Sequence, residues 1–413
     1  MRHLLFASLL LAVACSSSQG TTADASAPLT PFTGTPGEPI KVDNVLDILI
    51  VPVVANGVAG TAVVDTGSPI VGLDPSSFPD ANLPNGAGTV ASLDVGALAF
   101  PGATVVGANL IDSPDPSIPL GGSLGCIVLC DFAVSLNYRD AQLTLGKGAT
   151  PANVATPGTL IPFSLTGGGV FTLTDVPGAV TFPVSRVLLT LTLEGTPHPF
   201  VVDTGSSFVT LREAVFTGLV ADGRTVIGGV GTATVGMEST SSIARLRSVD
   251  IGGAEVEGEV GAYDPSIEDT LDEISNEIGS PVDGLVGGSF LRQFFVTVDY
   301  PNSQLTLQRY TKGAPTFDVF DRVGIAVSPT DGDAPPTVAY VFAGTAAEKL
   351  GVAIGDVVVA VDGHSLTSLG ATAISMLLSG DVGSSKTVEL GKAASATLSM
   401  RSVSIGVDDV LAL

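Results

Sequence analysis

The sequence predicts a mainly β chain: two related β lobes followed by a small α+β domain. Three observations carry this. A six-residue motif occurs twice, a longer segment after each copy also repeats, and the pattern changes near residue 315. The 413 residues exceed one ordinary domain. The 50 glycines and 27 prolines, with short Val- and Thr-rich runs, suit many short strands joined by tight turns.

The first repeat is Val63-Val64-Asp65-Thr66-Gly67-Ser68 against Val201-Val202-Asp203-Thr204-Gly205-Ser206. Each copy ends a strand-turn-strand pattern, with turns at Asn56-Gly57 and Glu194-Gly195. The second repeat aligns residues 122–145 with 284–307 without gaps, and 10 of its 24 positions are identical. Its offset is 162, whereas the motifs are 138 apart, so the second half carries 24 extra residues between them. Most of these precede Ser248-Val249-Asp250-Ile251-Gly252, which matches Ser92-Leu93-Asp94-Val95-Gly96. Two halves with the same ordered motifs imply two lobes of one fold. The expected divisions are 1–14 signal segment, 15–42 flexible tether, 43–157 first lobe, 158–315 second lobe and 316–413 C-terminal domain.

Composition excludes several functions. The net charge is −24 and only 14% of residues are charged, so a phosphate backbone is repelled and nucleic acid is not an expected partner. His3, His198 and His364 offer no pair at metal-ligand spacing. No metal and no cofactor is expected. Gly167-Gly168-Gly169 does not open a helix after a strand, which leaves nucleotide binding without support. Residues 266–278 read as an acidic surface helix with Ile267, Leu271, Ile274 and Ile278 on its apolar face.

Asp-Thr-Gly-Ser in duplicate points to hydrolysis by activated water. Two facing carboxylates cannot both ionise easily, so they share a proton, and one acts as base while the other acts as acid. Aspartic proteases are a standing illustration of this effect. Glycine after Asp-Thr lets the two loops approach. The Thr and Ser hydroxyls are placed to tie the loops together.

These residues resemble the pepsin/retropepsin clan of aspartic peptidases over about residues 43–312. Asp283-Gly284-Leu285-Val286-Gly287, Phe290-Leu291 and Asp299-Tyr300 resemble the bacterial retropepsin-like pattern especially. The resemblance implies a dyad of Asp65 and Asp203, an inter-lobe grip of Thr66 and Thr204, close approach at Gly67 and Gly205, and Ser68 and Ser206 bonding the carboxylates. It implies a polypeptide substrate across the inter-lobe cleft. One departure is plain: no tyrosine lies between Asp65 and Tyr138, where pepsins carry the flap tyrosine. The longer candidate flap is residues 228–242 of the second lobe. A catalytically inactive peptide-binding scaffold is the alternative reading.

Residues 344–363, with Gly344-Thr345-Ala346-Ala347-Glu348-Lys349-Leu350-Gly351, Gly355-Asp356 and Asp362-Gly363, resemble bacterial PDZ domains. That resemblance implies binding of peptide C-termini, with Val323, Gly324 and Ile325 as the carboxylate-binding loop and the peptide added as a strand. A PDZ domain that only packs against the lobes is the alternative. At the amino terminus, a basic start, ten apolar residues and Ala12-Val13-Ala14 before Cys15 read as a secretion signal. The arrangement resembles a bacterial lipobox, which implies lipidation of Cys15 and a membrane anchor. Ordinary signal cleavage at the same bond is the other reading. Cys126 and Cys130 stand four apart on an expected helical start. Helical i, i+4 Cβ atoms lie about 5–6 Å apart, beyond the roughly 3.5–4.5 Å of a disulfide, so a bridge requires that turn to distort.

Overall fold

The computed structural model describes residues 6–7, 29–107, 120–172, 179–234, 237–313, 318–328, 334–369, 371–392 and 399–413. Strands dominate. In the first lobe one sheet runs in the order 86–89, 104–107, 71–73, 122–124, 58–64, 48–55, 92–95, 98–101. In the second lobe the matching order is 260–263, 209–211, 284–286, 196–202, 186–193, 248–251, 254–257. The registers repeat as well. Ile50 stands opposite Val63 in the first lobe, and Leu188 opposite Val201 in the second. Both pairs differ by the motif offset of 138, so the duplication is one of hydrogen-bond register as well as of sequence.

The extra residues of the second lobe form a hairpin. Strands Val226–Thr234 and Met237–Arg245 stand where the first lobe has the single strand Gly86–Thr89. Two residues of the amino-terminal segment, Phe6–Ala7, pair with Thr232 and Ala233 of this hairpin. The acidic helix forms over Glu268–Ile278. Ile267, Leu271 and Ile274 are buried against Val201 and Leu285, so this helix supports the strand that leads to Asp203.

A six-stranded sheet joins the lobes, in the order 159–162, 304–309, 294–299, 133–137, 142–145, 39–41. At its centre Ser135 pairs with Thr297, its own repeat equivalent, and the two hydroxyls are 3.2 Å apart. The pseudo-twofold axis passes through that pair. The folded region therefore extends ahead of residue 43, into the stretch expected as tether. Pro39–Lys41 is the edge strand of the inter-lobe sheet. Leu29 N–H donates to Asp131 at 3.0 Å, and the Phe32 ring lies 4.9 Å from that of Phe132. Apolar residues in this Pro- and Gly-rich stretch outweigh its loop-like composition.

The C-terminal domain has a sheet in the order 325–328, 337–341, 357–361, 385–392, 399–406, with helices Ala346–Lys349 and Ala371–Leu378. It packs on the second lobe. Phe208, Ile243, Val260 and Ala262 form one buried cluster with Val319, Phe320, Phe342 and Leu411. Buried Arg245 ties the same interface by ion pairs to Asp318, Asp321 and Asp409. Among the described residues no helix is long and apolar enough to cross a membrane. Cys15 lies outside the described residues.

Candidate active site

Each aspartate follows the C-terminal end of a buried strand. Val58–Val64 ends at Asp65 and Thr196–Val202 at Asp203. A short parallel strand lies beside each, Gly122–Leu124 and Gly284–Val286. Asp65 N–H donates to Leu124 O at 3.1 Å, and Asp203 N–H to Val286 O at 3.0 Å. The glycine that ends each apolar-Gly element has a steric reason. A Cβ at Gly125 would fall 2.1 Å from Ile70 O, and one at Gly287 would fall 2.4 Å from Phe208 O and Ser206 O.

The two loops lock across the pseudo-twofold axis. Thr66 Oγ1 donates to Val202 O at 2.8 Å and accepts from Thr204 N–H at 3.1 Å. Reciprocally, Thr204 Oγ1 donates to Val64 O at 2.5 Å and accepts from Thr66 N–H at 3.0 Å. All four partners are buried. Within each loop a carboxylate oxygen accepts backbone bonds. Gly67 and Ser68 N–H reach Asp65 Oδ1 at 2.9 and 3.0 Å, and Gly205 N–H reaches Asp203 Oδ1 at 2.9 Å. Gly67 and Gly205 face the opposite aspartate. A Cβ on Gly67 would lie 2.7 Å from the Asp203 carboxyl carbon, and one on Gly205 would lie 3.0 Å from that of Asp65. The loops are as close as two glycines allow.

The serine hydroxyls correct an expectation. They brace their own loops rather than the carboxylates. Ser68 Oγ donates to Ile70 O at 3.2 Å, and Ser206 Oγ donates to Phe208 O at 3.2 Å. The backbone N–H of Ser68, not its side chain, holds Asp65. A residue type cannot reveal whether its main chain or its side chain makes the bond.

Asp65 and Asp203 are buried, and the Oδ2 atom of each has no other partner. Burial raises Asp65 well above the usual carboxylate range, and the Asp203 charge raises it further. Burial also raises Asp203, but the Gly205 N–H, Asp65 and the Arg186 cation pull against it. The pair thus keeps one proton to higher pH than a lone carboxyl and can offer an acid and a base together. Below the dyad, Tyr138 and Tyr300 are repeat equivalents with buried hydroxyls that have no hydrogen-bond partner. Burial, then the charges of Asp65 and Asp203, push Tyr300 up.

Sequence reasoning missed Arg186. In the second lobe Val187 stands opposite Val202, so the register continues to Arg186 beside Asp203. In the first lobe the same register brings Ile48 beside Asp65. Arg186 is buried, and its Nη1 lies 2.4 Å from where a Cβ on Gly167 would be. The signal was present in the duplication: an offset of 138 aligns Arg186 with an isoleucine.

Cys126 and Cys130 are joined by a disulfide with Cα atoms 4.7 Å apart. The bridge closes the short helix Cys126–Leu129 behind the Asp65 loop, where Cys126 N–H donates to Ser68 O at 2.9 Å. The repeat equivalents are Gly288 and Arg292, and the latter pairs with Asp47 of the first lobe at 3.0 Å.

In the C-terminal domain, Val323 and Gly324 lead into the edge strand Ile325–Ser328, of which Ile325 is the first residue. Val323 N–H is already used by Leu378 O at 3.0 Å. Gly324 has φ +72°, and a Cβ there would lie 2.3 Å from Thr345 Oγ1, so it admits no side chain.

Two family models match parts of the chain. Residues 189–290 match the aspartyl protease family model, and residues 337–390 match that of the PDZ domain. The second lobe therefore contains an aspartyl protease domain, and the C-terminal domain is a PDZ domain. No curated protein matches the chain significantly. Among solved structures, the aspartic proteinase from Irpex lacteus is similar at 16% identity, over 68% of this chain and 98% of that one, with a TM-score of 0.42. The retropepsin-like aspartic protease from Rickettsia conorii is similar at 16% identity, over 38% of this chain and 97% of that one, with a TM-score of 0.23. A photosystem II D1 C-terminal processing protease shares 26% identity over 23% of this chain and 26% of that one, with a TM-score of 0.21.

Proposed function

We propose that this chain is an exported aspartic endopeptidase that hydrolyses peptide bonds with water activated by Asp65 and Asp203. The reading rests on one observation above others. Two buried carboxylates from duplicated loops are locked together by the reciprocal Thr66 and Thr204 bonds, each beside the other's glycine. A polypeptide lies extended across the inter-lobe cleft. One carboxylate accepts a proton from water while the other protonates the carbonyl oxygen, and no covalent intermediate forms.

The PDZ domain positions substrate. Gly324 and Ile325 N–H groups receive a peptide carboxylate, and the peptide adds to the open edge of Ile325–Ser328. The amino-terminal segment directs export, and lipidation of Cys15 anchors the protein to a bacterial membrane.

The test is to incubate residues 29–413 with a random peptide library from acid to neutral pH and to sequence the products. Internal cleavage supports an endopeptidase. Tight binding of peptides with no product at any pH would instead identify an inactive scaffold.

A further inference from the structure

We propose that Arg186 sets the roles of the two aspartates, holding the ionised carboxylate at Asp203 and leaving the shared proton on Asp65. This rests on the peptidase reading of the dyad. Two lobes related by a pseudo-twofold axis give a shared proton no preferred side. The loops match in their threonine bonds and strand partners, Thr66 against Thr204 and Leu124 against Val286, while Asp65 accepts backbone bonds from Gly67 and Ser68 and Asp203 accepts one from Gly205. At the register position beside each aspartate the match fails. The first lobe presents Ile48, an apolar side chain, and the second presents Arg186, a buried cation.

A fixed charge in a buried site acts strongly, because little water screens it. Its sign selects the anion. The titratable and charged groups facing Asp203 are Asp65 from the first lobe, Arg186 from strand Arg186–Leu193, and the Tyr138 and Tyr300 hydroxyls from the inter-lobe sheet. Arg186 is the one cation among these. It lowers Asp203.

The chemistry then has a direction. Asp203 takes a proton from water as the water oxygen bonds to the carbonyl carbon, and Asp65 gives its proton to the carbonyl oxygen. When the diol collapses, Asp203 passes its proton to the departing nitrogen as the C–N bond breaks. Asp65 recovers a proton from a diol hydroxyl. Both carboxyls return to their starting states. Arg186 touches no reacting atom in this scheme and is a positioning residue.

The test uses Arg186→Met, Arg186→Gln and Arg186→Lys in the full chain, with kcat/KM read against pH on a quenched peptide. Loss of the cation should move the acid limb up by about one pH unit, and activity well below that limb should fall about tenfold. Arg186→Lys should keep the wild-type limb. A limb unmoved in Arg186→Met, or moved equally in Arg186→Lys, overturns the proposal. Where the neutral variants do not fold, carboxyl 13C NMR of the wild type decides, with the dyad signals assigned by their loss in D65N and D203N. The carboxyl ionising first should be Asp203, and Asp65 ionising first overturns the proposal. Absence of peptide cleavage in the wild type counts against the peptidase reading alone, because the NMR titration, compared between the wild type and Arg186→Lys, still tests which carboxyl ionises first.

Discussion

Removing the arginine that ties the PDZ domain to the second lobe should destabilise the whole molecule. Arg245 sits in the strand Met237–Arg245 with its side chain 6% exposed. It pairs with Asp318, and with Asp321 and Asp409 at 3.1 Å each. It also donates to Gly258 O at 3.0 Å. Arg245→Met keeps much of the volume but leaves three partly buried carboxylates without their cation. Breaking one partner of a buried ion pair costs about 3–5 kcal/mol, a large part of a total of about 5–15 kcal/mol. Urea unfolding should show that loss as a lower midpoint, with early proteolysis near residue 313. Pairing Arg245→Met with Asp409→Asn should recover about 1–3 kcal/mol of coupling. A loss under 1 kcal/mol, or additive single effects, would show that the ion pairs do not hold the domains together.

Three other outcomes follow from the same geometry. Thr204→Ala removes two inter-lobe bonds and strands Val64 O and the Thr66 N–H in a buried setting. It should cost about 1–3 kcal/mol per stranded group and lower kcat, as read by thermal melts and peptide cleavage. Gly67→Ala puts a Cβ against the Asp203 carboxyl and should abolish cleavage while circular dichroism stays native. Burial pushes Glu259, next to the PDZ interface, from the ordinary 4.5 up to about 7. A carboxyl raised by folding lends stability that is whole below 4.5 and lost as pH rises through about 7. The melting temperature should therefore fall across that window, and Glu259→Gln should flatten the fall; an unchanged slope in the variant would exclude Glu259 as the cause.

The two lobes were legible in the sequence because the fold was written twice. A single Asp-Thr-Gly is a common strand-end turn, but Asp65 and Asp203 repeat within matching strands, so the duplication carried the inference. The apolar-Gly elements were legible for the same reason, and Gly125 and Gly287 prove to be sites where no Cβ fits. Contacts between distant segments were less legible. Pro39–Lys41 reads as loop by composition, and only its place beside Gln142–Leu145 makes it a strand. The docking cluster of Phe208 with Phe320 joins segments more than a hundred residues apart, and no local pattern announces it. The Cys126–Cys130 bridge joins two residues of a helical turn whose ideal Cβ spacing argues against it. Arg186 was hidden by its neighbours, because it begins a strand of Val, Leu and Thr and its meaning depends on the register that sets it beside Asp203.

The central claim is that two carboxylates, one from each lobe, act as a single catalytic unit. Its most direct test is kcat for cleavage of one peptide by wild type, Asp65→Asn, Asp203→Asn and the double variant, each shown to be folded. An amide cannot take part in sharing the proton, and residues that act as a unit lose activity non-additively. The account predicts that each single variant falls to the level of the double one. Substantial turnover in either single variant, or losses that multiply in the double, would contradict it.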